Sequence, residues 1–428
     1  MTDQDIAQLG PAFAGFLRHF RPCFLQQRTA AHFDSYCRGL LADLPRKSVE
    51  PIALACGTAV RTLQEFLTTA SWDHAQARDR LQRRLADHLD SLPADPLGTV
   101  GVIDETSSLK QGDQTPGVQR QYLGCAGKVA NGIITVHVGV ARGRFQALLD
   151  AELYLPKSWS QDRERCRQAG IPDEVRYQAK WRIALDQLLR LNHNGVRFDR
   201  LTFDEGYGGK VPFLTALSLA GQRFVAEVPV SLPVRAEGAS GWRRADAALT
   251  AGDARRGRCY RIRRQTLPDA RWRAASRPVL LRGRAYTLVA AVNEVTAEVK
   301  YFVTNATDQP LARVLAVAFR RATVEHSFRV AKTEAGLTHY EGRQYVGLVR
   351  HLILALTVMA FVSIHTDRLR GEKPAGDDGA GVPGAERAVR DALSPSPGDG
   401  RVLSCRRGDP LSPAPQRAGS PVPQEATA

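Results

Sequence analysis

The sequence predicts an α/β protein: a mixed sheet flanked by helices, interrupted by a β-rich insertion and preceded by an all-helical segment. Three observations carry that expectation. Apolar residues recur at helical spacing through the first 95 residues. From about residue 98 to 228, short apolar strands alternate with amphipathic helices. Between 229 and 300, strand-like alternation dominates and the segment fills with arginine, before the α/β pattern returns at 301–366.

In the first zone, Phe13, Phe16, Leu17 and Phe20 form one helical stripe, and Leu63, Phe66 and Leu67 another. Between Ser48 and Leu67 a short helix, a break at Cys56-Gly57 and a second helix read either as a helix-turn-helix or as an ordinary helical hairpin. Pro93 and Pro96 mark a linker. In the second zone, residues 100–103, 121–125 and 133–140 read as strands, the last two joined by a turn at Asn131-Gly132. Residues 148–155 add a further strand, 181–191 an amphipathic helix, and 201–203 and 224–228 strands around another helix. Past the insertion, residues 301–304 form a strand, 311–334 one long helix and 346–364 an apolar helix. The last 58 residues hold nine of the 24 prolines and no aromatic residue, so 370–428 is expected to be a disordered tail.

Lys plus Arg number 59 against 44 acidic residues, a net charge of +15. That surplus points to a polyanionic partner, of which nucleic acid is the commonest. Within 229–300, fourteen arginines and one lysine face six acids, which reads as a solvated basic face or a phosphate-tracking one. No run reaches the ~18 apolar residues that span a bilayer; the longest, 352–364, reads as a buried helix, and no membrane association is expected. The opening MTDQDIAQLG lacks a signal-peptide layout, so the cytoplasm, with the nucleoid, is the expected location. Seven cysteines without CxxC spacing read as reduced structural thiols, Cys125 among them as a mid-strand core residue.

Three acids sit where chemistry would place them. Asp104 directly follows the strand VGVI, Asp204 follows LTF, and Glu325 lies on the helix after YFVT. Ends of neighbouring strands converge at one sheet edge, where sites form. Breaking a phosphodiester needs an activated nucleophile and a stabilised leaving oxygen, which two hard cations held by carboxylates provide. Read singly, each Asp is equally a turn or cap residue and Glu325 a solvated helix position. At 100° per residue, Arg321, Glu325, Phe328 and Lys332 fall within a band of about 60°, so two cations flank the third acid. They would bind approaching phosphates, or Arg321 would simply pair with Glu325. Trp159 and Trp242 read as packed side chains rather than base-stacking ones.

The segments VIDETSSLKQGDQTPGVQRQYLGCAGKVANG, LTFDEGYGGKVPFL and RRATVEHSFRVAKTEAGLTHYEGRQYVGLVRH, in this order, resemble the three catalytic blocks of bacterial insertion-sequence DDE transposases. The third block carries a Tyr-x2-Arg-x3-Glu-x6-Lys signature in that family. Arg321, Glu325 and Lys332 match it, and Ala318 stands where the Tyr would be. The resemblance covers roughly residues 40 to 365. It implies a ribonuclease-H-like catalytic domain (98–228 and 301–366) with the β-rich basic insertion at 229–300, behind a helical DNA-binding domain at 1–95. It implies catalytic, metal-holding Asp104, Asp204 and Glu325, two Mg²⁺ ions or Mn²⁺ in their place, and phosphate contacts from Arg321 and Lys332. Arg120, Lys128 and Lys210 are further candidates for backbone contacts. The partners it implies are double-stranded DNA, as the element's terminal inverted repeats and as target, bound by a homodimer. The competing readings are a catalytically silent DNA-binding remnant or regulator of transposition, motivated by Ala318 and the tail, and a nuclease that cuts without joining.

Overall fold

The computed structural model describes residues 3–236, 238–263 and 269–371; the tail expected to be disordered lies outside them. The chain opens with helices α1 (Asp3–Arg18), α2 (Gln27–Leu41), α3 (Val49–Ala55), α4 (Val60–Thr68) and α5 (His74–Ser91). The break between α3 and α4 falls at Cys56-Gly57, where Gly57 adopts φ +62°, a left-handed conformation that favours glycine. Asp73 caps α5 by accepting from the Gln76 amide at 2.8 Å.

The last helix, α15 (Tyr345–Gly371), runs through the middle of this bundle and onto the sheet. It is long and apolar enough to cross a membrane by length and composition, which corrects the shorter apolar run read from the sequence. Yet 89% of its apolar window is buried inside the protein, so it is a core helix, apolar on every side because every side is covered. Two of its buried polar residues reach across the bundle. Arg350 donates to the carbonyls of Phe66, Leu67 and Trp72, closing the end of α4, and stands 4.6 Å from the Trp72 ring. His351 bridges the Tyr36 hydroxyl at 3.0 Å and the Gly336 carbonyl at 2.9 Å.

The sheet begins with β1 (Val100–Leu109), β2 (Gln119–Leu123), β3 (Lys128–Arg142) and β4 (Phe145–Leu153). β3 runs antiparallel to β1, β2 and β4. Two sequence expectations change here. β1 does not end before Asp104 but continues through it to Leu109. The β2–β3 turn is at residues 124–127, not at Asn131-Gly132, and Cys125 is exposed in it rather than part of a core strand. Asn131 instead donates its side-chain amide to the carbonyls of Lys110 and Gly112. Gly132 is required because any Cβ there would collide with the Ser108 carbonyl on β1.

Then come α6 (Lys157–Gln161), α7 (Arg163–Gln168), α8 (Lys180–His193), β5 (Arg200–Phe203), α9 (Glu205–Gly208), α10 (Val211–Leu219) and β6 (Phe224–Glu227). β5 lies between β1 and β6 and is parallel to both. The arginine-rich segment holds β7 (Pro233–Ala236), β8 (Arg243–Arg244), α11 (Ala245–Ala248), α12 (Ala251–Arg256), β9 (Arg258–Ile262), β10 (Ala270–Leu281) and β11 (Arg284–Asn293). Its strands extend the same sheet through β12 (Val299–Thr304), in the order β2-β3-β1-β5-β6-β12-β11-β10-β7-β8. Several of its arginines are paired: Arg244 with Asp246, Arg256 with Asp253, Arg261 with Asp269, and Arg271 and Arg273 with Glu294. Arg243, Arg255, Arg258, Arg277, Arg282 and Arg284 remain exposed and keep the surface basic.

The single long helix expected over 311–334 is two, α13 (Leu311–Ala318) and α14 (Arg321–Glu334). The chain turns at Phe319, whose ring packs 4.7 Å from Trp272 and 5.8 Å from Phe302 in a small second core under the insertion. The main core is continuous from Phe13 and Phe361 through Val138 to Phe203. A buried polar network also ties the helices to the sheet: Asp150 on β4 accepts from Gln82 of α5 and pairs with Arg190 of α8 at 2.9 Å.

Candidate active site at the acidic edge of the sheet

Strand register puts the acids side by side. Ile103 pairs with Phe203 and Phe203 with Ala226 across the three parallel strands. One residue further on, Asp104, Asp204 and Glu227 therefore stand level on neighbouring chains, directed to one face by the shared pleat. Asp104 is buried among apolar strand residues, and its Oδ1 accepts from the Glu105 amide at 2.8 Å. Its antiparallel neighbour is His137. Asp204 ends β5 and caps α9, accepting from the Tyr207 amide at 3.3 Å. Gly208 lets α9 settle onto β6, since a Cβ there would collide with the Glu227 carbonyl.

Glu325 comes from α14, which lies across β1, β3 and β4 and is brought close to β3 by Gly139, where a Cβ would press on Val324. Phe328 anchors the helix 4.9 Å from the His137 ring, and the Lys332 ammonium stands 5.9 Å from Phe328. Arg321 and Glu325 lie one turn apart, with Glu325 the more exposed.

Arg321 is the electrostatic centre. Its Nη1 is 3.4 Å from Asp104 Oδ2 and 3.7 Å from Glu325 Oε1, and its Nη2 is 3.6 Å from Glu227 Oε2. Glu227 is held more tightly from the other side by Lys300 of β12, at 2.6 Å. Burial lifts the Asp104 carboxyl to about 6; Arg321 opposes this, while the negative charges of Asp204 and Glu325 add to it. Burial works against the Arg321 charge, but the carboxylates around it win and raise its pKa.

Of the residues singled out in the sequence, Asp104, Asp204, Glu325 and Arg321 meet electrostatically, and Lys332 follows on the same helix. Lys210 is exposed just past α9. Arg120 and Lys128 are exposed on the β2–β3 hairpin; Arg120 pairs with Asn131, six residues along β3 from His137, a span of roughly 20 Å at strand rise. Ala318 is buried in the second core. Trp159 is packed, donating to the Val118 carbonyl, whereas Trp242 is 54% exposed with Arg235 near its ring, against the expectation that both are packed.

Three residues of the site were not singled out in the sequence. Glu227 was legible only as an acid ending the apolar run FVA, and Lys300 had no signal. Tyr207, three residues after Asp204, is buried, and its hydroxyl has no hydrogen-bond partner among the described residues. Its pKa is raised by burial and by the charges of Glu105, Asp104 and Asp204. Among the described residues no three His, Cys, Asp or Glu side chains are gathered for a metal ion, and Arg321 stands between Asp104 and Glu325.

A large mixed sheet with helices, carrying carboxylates level with one another on adjacent parallel strands, fits a DDE nuclease. Residues 19–287 match the family described as DDE superfamily endonuclease, more than half of the chain, and the protein belongs to that family. The match includes Asp104 and Asp204 and stops before Glu325. The chain is also 34% identical over 195 residues to the probable transposase for insertion sequence element IS701 from Microchaete diplosiphon. That similarity covers 45% of this chain and 47% of the relative, so the alignment spans about half the length of the curated protein.

Proposed function

We propose that the protein is a DNA transposase that binds the terminal inverted repeats of its own element, cleaves the backbone there and joins the freed 3′-hydroxyl ends to target DNA. The observation that carries this is the level placement of Asp104 and Asp204 on parallel strands, with Glu325 facing them across Arg321. The run β4-β3-β1 antiparallel, continued by β5 and β6 parallel, supports a ribonuclease-H-like catalytic core over 98–228 and 301–366.

The donor set fits a hard divalent cation. It consists of carboxylates alone; burial raises Asp104 and the negative charges of Asp204 and Glu325 add to it, a cost that a cation would relieve. Asp104, Asp204 and Glu325 would hold Mg²⁺ or Mn²⁺; two such ions supply activation of the attacking oxygen and stabilisation of the leaving one. The chain's own residues do the rest. Asp104 and Asp204 are fixed by strand and cap geometry, while Glu325 sits on a more exposed helix face. Arg321 and Lys332 hold the phosphates on either side of the cut, and Lys210, Arg120 and Lys128 contact the backbone further out.

The helical segment 1–95 is the DNA-binding domain in this reading, with α4 as the helix offered to the major groove. The exposed arginines of 229–300 track phosphates. The working form is a homodimer on DNA, acting in the cytoplasm at the nucleoid. A second reading, a silent DNA-binding remnant or regulator, is favoured by Ala318, which brings no hydroxyl to the site.

The test is cleavage of labelled DNA carrying the element's ends, with Mg²⁺ and with EDTA. Nicking at the ends that needs Mg²⁺ and is lost in Glu325→Gln supports the transposase. Tight binding without nicking supports the silent regulator, and cutting without strand transfer supports a nuclease.

A further inference from the structure

Arg321 occupies an unusual place for a residue expected to grip phosphate. Its guanidinium touches three carboxylates and engages none of them at the 2.7–2.9 Å of a strong charge-assisted bond; its distances are 3.4, 3.6 and 3.7 Å. Its side chain is only 23% exposed, so it cannot leave for water without disturbing its surroundings. Glu227, by contrast, is fully engaged at one oxygen. Lys300 holds Oε1 at 2.6 Å, and Oε2 faces Arg321. Lys300 has a second acid in Glu298 at 3.5 Å, so the pair is braced from the insertion side. Glu227 stands level with Asp204, which places a carboxylate beside the proposed cation site but tied to an ammonium.

We propose that Glu227, braced by Lys300, is a positioning residue that receives the Arg321 guanidinium when a divalent cation takes its place between Asp104 and Glu325. This rests on the reading of Asp104, Asp204 and Glu325 as the metal ligands. Arg321 is the cation that neutralises those acids when no metal is bound. A divalent ion and a guanidinium repel each other and cannot share the same carboxylate oxygens. The displaced guanidinium has a short path to Glu227 Oε2, which it already faces, and arrives there still paired and still beside the phosphate path. Without Glu227 the guanidinium would have to stay on Asp104 and Glu325, in competition with the metal, or be stranded half-buried without a partner.

The experiment measures Mn²⁺ binding to the full-length, DNA-free protein from the paramagnetic resonance signal of free Mn²⁺. E227Q is expected to weaken binding about tenfold, the loss of one charge-assisted contact, and E227D to recover most of it. In an R321Q background, where nothing has to be moved, adding E227Q should cause no further loss. Wild-type affinity in E227Q would overturn the proposal. So would an equal loss in the presence and absence of Arg321, because Glu227 would then act only through its charge. D104N reports on the underlying reading: if it binds Mn²⁺ like wild type, the ligand assignment fails and this proposal with it. If D104N abolishes binding while E227Q does not weaken it, only the role of Glu227 is refuted. Because Lys300 keeps Glu298 in these variants, circular dichroism should show an unchanged fold.

Discussion

Arg321 and Asp104 form an ion pair at 3.4 Å in the middle of the acidic edge, joining the first residue of α14 to the centre of β1. The pair lies 217 positions apart in the chain, and it brings the helix bearing Glu325 to the strands bearing Asp104 and Asp204. It also makes the metal-free site electrostatically tolerable, since one guanidinium serves three carboxylates.

Asp104→Asn keeps the shape of the side chain and removes its charge. DNA cleavage should be abolished, while gel-shift affinity for the element's ends should stay within about twofold. A variant that cuts at the wild-type rate would refute the assignment of the site.

Arg190 pairs with the fully buried Asp150 at 2.9 Å and with Glu152 at 2.8 Å, at the junction of α8, β4 and α5. Arg190→Met leaves the buried Asp150 carboxyl without that partner. Urea unfolding should show a loss of about 3–5 kcal/mol. A change below about 1 kcal/mol would mean that the network does not join the helices to the sheet.

Among the described residues the buried Tyr207 hydroxyl has no hydrogen-bond partner. In metal-free protein, Tyr207→Phe removes a polar group that gains nothing, so stability should hold or rise by about 1 kcal/mol. A clear fall in the urea midpoint would reveal a partner for the hydroxyl.

Burial drives His137 down to about 3, aided by Lys332, and His351 down to about 4. Both are neutral in the folded protein, whereas the unfolded chain takes up their protons as pH falls through 6.5. Between pH 6.5 and 4 the unfolded state therefore binds more protons, and stability falls on acidification. Each histidine contributes up to about 1.4 kcal/mol per pH unit. Asp104, raised to about 6, works the other way between 6 and 3.8 and offsets one of them. Urea midpoints at pH 7, 6 and 5 should therefore decline; a midpoint that rises toward pH 5 would contradict the burial of these histidines.

Much of the candidate site was legible because its signals are local. A run such as VGVI or LTF ending in Asp reads as a strand leading to an acid, and Arg321, Glu325, Phe328 and Lys332 share a helix face by spacing alone. The helix, break and helix at 49–68 follow from the same kind of pattern, with Gly57 at positive φ between them. Where the reading failed, a distant partner had intervened. Asn131-Gly132 has the composition of a turn, but Gly132 serves close contact with Ser108 and Asn131 serves the carbonyls of Lys110 and Gly112. The helix over 311–334 is broken because Phe319 is claimed by Trp272 and Phe302.

By itself, then, the sequence determined where strands and helices lie along the chain and which acids lie on or beside them, because side-chain periodicity is settled within a few residues; it did not set their ends, since β1 runs on through Asp104 to Leu109. Only the tertiary structure decided that Glu227 stands level with Asp204, that Lys300 holds it, and that Arg321 lies among three carboxylates. Those relationships depend on strand register and on charges brought together by the closing of the sheet, and no window along the chain contains both partners.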